Sequence, residues 1–238
     1  MFQTDPFSLI VLLVGLSILP FIAMIATSYL KIVVVISLIR NALGIQSIPP
    51  NMVVNALAMI LTFYIMAPIC SESWSIAKAE MAKRDPAAQH AGAPAAAAQA
   101  TNPPHGLALF ETDAVAKAAE PFRAFLSKHT SVRERAFFVN TAEQLWGKDD
   151  KPAVVDPESF YILIPSFCVS ELTKSFQIGF LVYLPFIAID IIVSNILLAM
   201  GMMMVSPVTI SLPFKLLLFV MVNGWTLLIQ GLVRGYLI

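Results

Sequence analysis

The chain has 238 residues, of which 58% are hydrophobic and 13% charged. Soluble domains carry about 45–50% apolar and about 25% charged residues, so composition points to a membrane protein. The formal net charge is zero, which excludes a nucleic-acid binder that works by neutralising phosphates.

Charge is unevenly placed. Ten of the fifteen Lys and Arg lie between Lys78 and Lys151, and twelve of the fifteen Asp and Glu between Glu72 and Glu158. The chain divides into an apolar N-terminal block (1–70), a polar middle (71–158) and an apolar C-terminal block (159–238). Cys70 and Cys168 sit in or beside apolar runs without CxxC spacing and read as small buried hydrophobes rather than a disulfide or metal pair. The N-terminal "MFQTDPF" has no basic region and no small-residue cleavage site follows, so no cleavable signal peptide is expected.

In chain order, Phe7 to Ala26 is twenty uncharged residues, about 30 Å of helix and enough to cross a bilayer core. Pro20 lies within it, and Ile32 to Ile39 is too short to span alone. Residues 7–39 therefore form either one kinked helix or a tight hairpin. Arg40, Gly44 and Pro49-Pro50 mark a break, and Asn51 is placed to cap a helix over Met52 to Ile69. The Ala/Pro-rich stretch Asp85 to Gly106 has almost no large apolar residues and reads as a flexible insertion. After it, helical spacing predicts two or three short amphipathic helices forming a small polar lobe. Asp156 can cap the next helix, with Pro157 at its first position. Ile178 to Val205 is a long apolar run containing Pro185, Asp190 and Asn195; Ser206-Pro207 turns, and Ser211 and Pro213 suit the start of a last helix over Leu212 to Val233. The predicted fold is an all-α membrane protein: long kinked helical hairpins from the two apolar blocks plus a small helical polar lobe.

Lys31, Asp190 and Lys215 lie within or at the edges of apolar segments. Ionisable groups there cost a few kcal/mol each unless paired or wetted. The two lysines can snorkel, whereas Asp190 is too short to do so and calls for a partner. With the hairpin turn centred on Pro207, Asp190 lies about 25 Å before it, level with Asn223. On that register Asn223 bonds Asp190 and Lys215 has no opposite charge at its own depth. A partner on a neighbouring subunit follows, with Glu171 as the leading candidate. The plainer alternative pairs Glu171 with Lys174 at i,i+3.

Met200, Met202, Met203 and Met204 crowd around Gly201. Methionine is flexible and polarisable, and Gly201 offers a hinge or a point of close approach. The cluster either faces lipid or a monomer core, or several copies bring it to an axis as a soft constriction that excludes water and ions by dewetting.

The stretches Leu19 to Pro68 and Ile164 to Trp225, with "RNALGIQSIPPN", "SELTKSFQIGF" and "GMMMVSPVTISLPFK", resemble the FliP/SctR family of export-gate membrane components of bacterial type III secretion systems and flagella. The last string looks more like the injectisome branch than the flagellar one. The resemblance implies a helically arranged homo-pentamer with SctS-like and SctT-like membrane proteins, and SctU-like and SctV-like export components as further partners. It places the assembled gate at or above the periplasmic face of the inner membrane, with apolar helices packed largely on one another. It gives Met200, Met202, Met203 and Met204 the role of a pore gasket, with Gly201 and Pro207 at the turn, and Glu171 and Lys215 an intersubunit ion pair. Unfolded secreted proteins are the implied substrates. Asn223 stands where many members carry an acid, and the insertion at 86–106 has no clear counterpart.

An enzyme reading finds little support. His90, His105 and His129 have no HExxH spacing, and no phosphate loop or nucleophile motif is present. No cofactor, metal or nucleic acid is expected. The alternative is a small-solute or ion transporter, with Lys31, Asp190, Asn195 and Asn223 lining a polar path broken at Pro185.

Overall fold

The computed structural model describes residues 6–45, 48–83, 116–147, 155–202 and 204–237. All regular structure in them is helical: α1 (Pro6–Ile25), α2 (Tyr29–Ala42), α3 (Asn51–Lys83), α4 (Glu120–His129), α5 (Val132–Trp146), α6 (Phe160–Ala199), α7 (Pro207–Met221) and α8 (Gly224–Arg234). The Ala/Pro-rich stretch lies outside the described residues, as does Met203.

The first apolar segment is two helices separated by a break at Ala26 to Ser28, not one kinked helix. Pro20 is carried inside α1. In α2 the residues Ile32, Val35, Ile36, Ile39 and Ala42 are buried, a spacing of three and four that makes one continuous stripe. That stripe is the centre of the main core. Val54 and Ala58 of α3, Phe186 of α6, Phe219 of α7, and Leu228 and Leu232 of α8 pack around it. The two apolar blocks of the sequence are thus one packed body, and α2 lies most extensively along α6. At their closest approach, a Cβ on Gly179 would lie 2.4 Å from Leu38 Cδ1.

The helix expected to end at Ile69 continues to Lys83, because its next residues are polar but free of glycine and proline. The boundary drawn at residue 70 therefore falls inside α3. Asn51 is the first residue of α3, and its Oδ1 accepts a 2.6 Å bond from Arg40 Nη1. Asp156 does not cap α6. It closes a turn one step earlier, where Oδ1 accepts from the Glu158 amide at 2.9 Å, and Ser159 holds the N-cap position.

The lobe is α4 and α5, both packed on the first half of α6. A second core joins Phe125 and Leu126 of α4 to Leu163 and Phe167 of α6, Met66 of α3, Ala26 and Tyr236. A third sets Ala142 of α5 on Ile162 of α6, with Val155.

Helix α6 is 40 residues long and carries Pro165 and Pro185 without interruption. Residues 51–80 and α6 are each long and apolar enough to cross a membrane. The last apolar segment begins at Pro207, earlier than Ser211, with Ser206 in the N-cap position. It is also broken: Asn223 takes a left-handed φ of 52°, and α7 and α8 meet at 59°. Gly224 follows because a Cβ there would strike the Phe219 ring at 2.3 Å.

Candidate functional site

The tip of the α6–α7 hairpin is built by a glycine cap. The amide of Met202 bonds Leu197 O at 3.0 Å and that of Gly201 bonds Leu198 O at 3.0 Å. This double bond pattern with a left-handed residue between is a Schellman closure, which favours glycine; Gly201 has φ +72°. Nothing of its own chain's described residues lies within 4 Å of where its Cβ would be, so within the chain the glycine serves the turn. Pro207 then opens α7, where its missing amide costs nothing. The described methionines between these two stops are exposed. Met200 is 66% exposed, Met202 42% and Met204 99%.

Below the tip, Lys215 Nζ lies 2.7 Å from Asp190 Oδ2. Ser211 Oγ donates to the other carboxylate oxygen at 2.6 Å, and Lys215 donates also to Ala42 O at 3.3 Å. Lys215 and Ser211 are buried. The lysine thereby caps the last turn of α2, whose free carbonyls carry negative partial charge, and fastens the N-terminal block to the hairpin.

This corrects the depth register. The loop between α6 and α7 spans residues 200–206, so depth must be counted from both helix ends. Asp190 is nine residues before Ala199, and Lys215 is eight after Pro207. They are level. Asn223 instead occupies the α7–α8 bend. Lys215 has a partner of opposite charge in its own chain, and the reason for seeking one on Glu171 of a neighbour falls away.

Glu171 sits at the centre of a second cluster, fully buried. Its Oε2 receives Lys31 Nζ at 3.2 Å and the Tyr236 hydroxyl; its Oε1 receives Lys174 Nζ at 3.0 Å. The i,i+3 pair with Lys174 is therefore formed, as one part of a larger network. Lys31 does not snorkel: it is buried, with its ammonium 4.1 Å from the centroid of the Tyr236 ring. Lys174 reaches on to His129 O at 2.7 Å. Buried serines continue the polar layer along α6. Ser166, Ser170 and Ser175 each donate to the carbonyl four residues back, and Ser170 Oγ accepts the Ser131 amide at 2.9 Å. A carboxylate so enclosed is tolerable because each of its oxygens meets a donor.

His129 packs in the same layer, tilted to Phe125 at 4.7 Å and edge-on to Tyr236 at 5.1 Å between ring centroids. Burial holds its pKa down to about 4, so the imidazole is neutral. Sequence reasoning misses Tyr236, Ser211 and the backbone carbonyls of Ala42 and His129. A tyrosine near a chain end and a serine on an apolar helix carry no signal of their own. Only the buried lysines announce that acceptors must exist.

The model of the FliP family matches residues 12–232. The chain is 46% identical over 236 residues to Yop proteins translocation protein R of Yersinia pestis, covering 98% of this chain and 97% of that one. It is 45% identical over 229 residues to the hypersensitivity response secretion protein HrcR of Ralstonia nicotianae, covering 96% of each. To the flagellar biosynthetic protein FliP of Bacillus subtilis it is 40% identical over 228 residues, covering 96% of this chain and 90% of the relative.

Proposed function

Since the chain belongs to the FliP family, we propose that it is a pore-forming subunit of a type III secretion export gate. In this reading it passes unfolded proteins across the bacterial inner membrane. Its relatives bear names of secretion, translocation and flagellar biosynthesis, which supports membership of an export apparatus.

The observation that carries the finer reading is the exposed methionine tip. Met200, Met202 and Met204 are exposed on a loop between a glycine cap and a proline helix start, with Met204 almost wholly uncovered. Clustered exposed apolar groups mark a surface that meets something else. One hairpin cannot enclose a channel wide enough for a peptide. Five copies around an axis, with SctS-like and SctT-like proteins, bring five such tips together. Thioether side chains then close the path against ions by dewetting and deform when a chain pushes through. SctU-like and SctV-like components complete the apparatus, and the α4–α5 lobe faces the periplasm. The solute-transporter alternative is disfavoured, because Lys31, Glu171, Asp190 and Lys215 are paired inside the chain.

The test is replacement of Met202, Met203 and Met204 together by Ala. Ion leakage through the assembled gate should rise while assembly persists. Unchanged leakage in an assembled, export-competent complex removes the gasket from the account.

A further inference from the structure

After α8, Tyr236 leaves the hairpin that precedes it and packs on the lobe. Helix α8 ends at Arg234, and Gly235 takes the backbone past Lys31, where a Cβ would lie 4.0 Å from the ammonium. Tyr236 then turns inward and is buried. Its ring stacks on Phe125 at 6.0 Å and meets His129 edge-on at 5.1 Å, both on α4. The ammonium of Lys31 of α2 lies over the ring, 4.1 Å from its centroid, and the Tyr236 hydroxyl donates to Glu171 of α6.

One side chain therefore touches α2, α4 and α6, which are far apart in sequence. The lobe is otherwise tied to α6 in this layer by Lys174 to His129 O and by the Ser131 amide to Ser170. Tyr236 adds a third tie of different kind. It fills the second core from the outside and hydrogen-bonds the buried carboxylate at its floor.

We propose that residues 235–237 form a clasp that locks the α4–α5 lobe onto α6, with the Tyr236 hydroxyl as its catch. Opening the clasp loosens α4, while the α6–α7 hairpin, held by its own Lys215–Asp190 pair, stays closed. The clasp fixes where the lobe stands relative to the proposed gate hairpin. It rests on the export-gate reading for that consequence, and its test reads the chain itself.

The experiment is hydrogen–deuterium exchange on the purified full chain in detergent, comparing wild type with Tyr236→Phe, which keeps the ring and removes the hydroxyl. A charge-assisted bond to a buried carboxylate sets the scale: amides of residues 120–129 should exchange roughly tenfold faster or more. Amides of α7 should be unchanged, as should native mass. Equal protection of 120–129 in both proteins overturns the proposal. So does a uniform rise over 120–129 and α7, which would mean general destabilisation. Tyr236→Ala should enlarge the effect; should it fail to fold, the Phe variant decides alone. A failed methionine experiment would leave this result standing.

Discussion

Lys215 and Asp190 are 25 residues apart in the chain and 2.7 Å apart in space. They face each other across the hairpin because both helices are counted from a seven-residue loop. The pair also reaches Ala42 O, so it locks three helices at one point.

An intrachain pair makes a specific prediction about rescue. Lys215→Glu sets two carboxylates together on a buried site and should cost about 2–4 kcal/mol, since Asp190 retains some solvent. Adding Asp190→Lys restores an opposite pair and should recover most of that loss. Adding Glu171→Lys should recover none. Thermal unfolding of the purified variants in one detergent decides it. Rescue by Glu171→Lys instead would return the pair to a subunit interface.

Glu171 should be the most sensitive charged position. It is fully buried with two lysines and a tyrosine directed at it. Glu171→Ala leaves Lys31 buried beside no anion, and loss of about 3–5 kcal/mol is expected. Lys174 is 39% exposed, so Lys174→Ala should cost about 1 kcal/mol or less. Equal effects of the two substitutions on unfolding temperature would contradict this ordering.

The sequence made the helical class legible because apolar runs of twenty residues have few other solutions. It placed the turn at Ser206-Pro207 for the same reason that proline opens helices. The pairing of Lys31, Glu171, Asp190 and Lys215 was legible only as a need for partners. Who pairs with whom depends on where each helix stops, and Gly201 stops α6 six residues before Pro207 begins α7. Asn223 looked like a helical residue at Asp190's depth, yet it takes a left-handed conformation and bends the segment. Pro185 looked like an interruption and Pro213 like part of a helix start, yet both are carried within helices. The candidate methionines were found by composition, which gave no hint of whether their own chain would cover them.

Gly179 should not tolerate a side chain while Leu38 is present. An added Cβ meets Leu38 Cδ1 at 2.4 Å, which can swing, but also Leu38 Cβ at 3.2 Å, which cannot. Alanine is the better helix former by about 1 kcal/mol, so a net loss on Gly179→Ala isolates the clash. About 1 kcal/mol is expected for Ala and up to about 3 kcal/mol for Leu. Combined with Leu38→Ala, which removes the Cδ1 and Cγ contacts and keeps only the 3.2 Å approach of Cβ, the Gly179→Ala change should cost clearly less than it does alone. A double mutant no better than the sum of the singles would mean that α2 and α6 are not in close approach there.

The lobe should lose stability in mild acid through His129. The imidazole titrates near 6.5 when unfolded and at about 4 when folded, with burial as the main cause. It faces Phe125 and Tyr236, and the charges around it are Glu171 and Lys174 on α6, Lys31 on α2 and Lys128 beside it on α4. Glu171 favours the protonated form and the three lysines oppose it, so burial sets the direction. Above about pH 6.5 neither state binds the proton and stability is full. As pH falls from 6.5 towards 4 the unfolded state takes up a proton that the folded state refuses, so stability declines across that window. His129→Phe keeps a ring between Phe125 and Tyr236 and keeps the carbonyl that Lys174 uses. It should flatten the decline between pH 6.5 and 4, measured as protection of residues 120–129 or as unfolding temperature against pH. A decline of the same slope in the Phe variant would assign the acid sensitivity to another group.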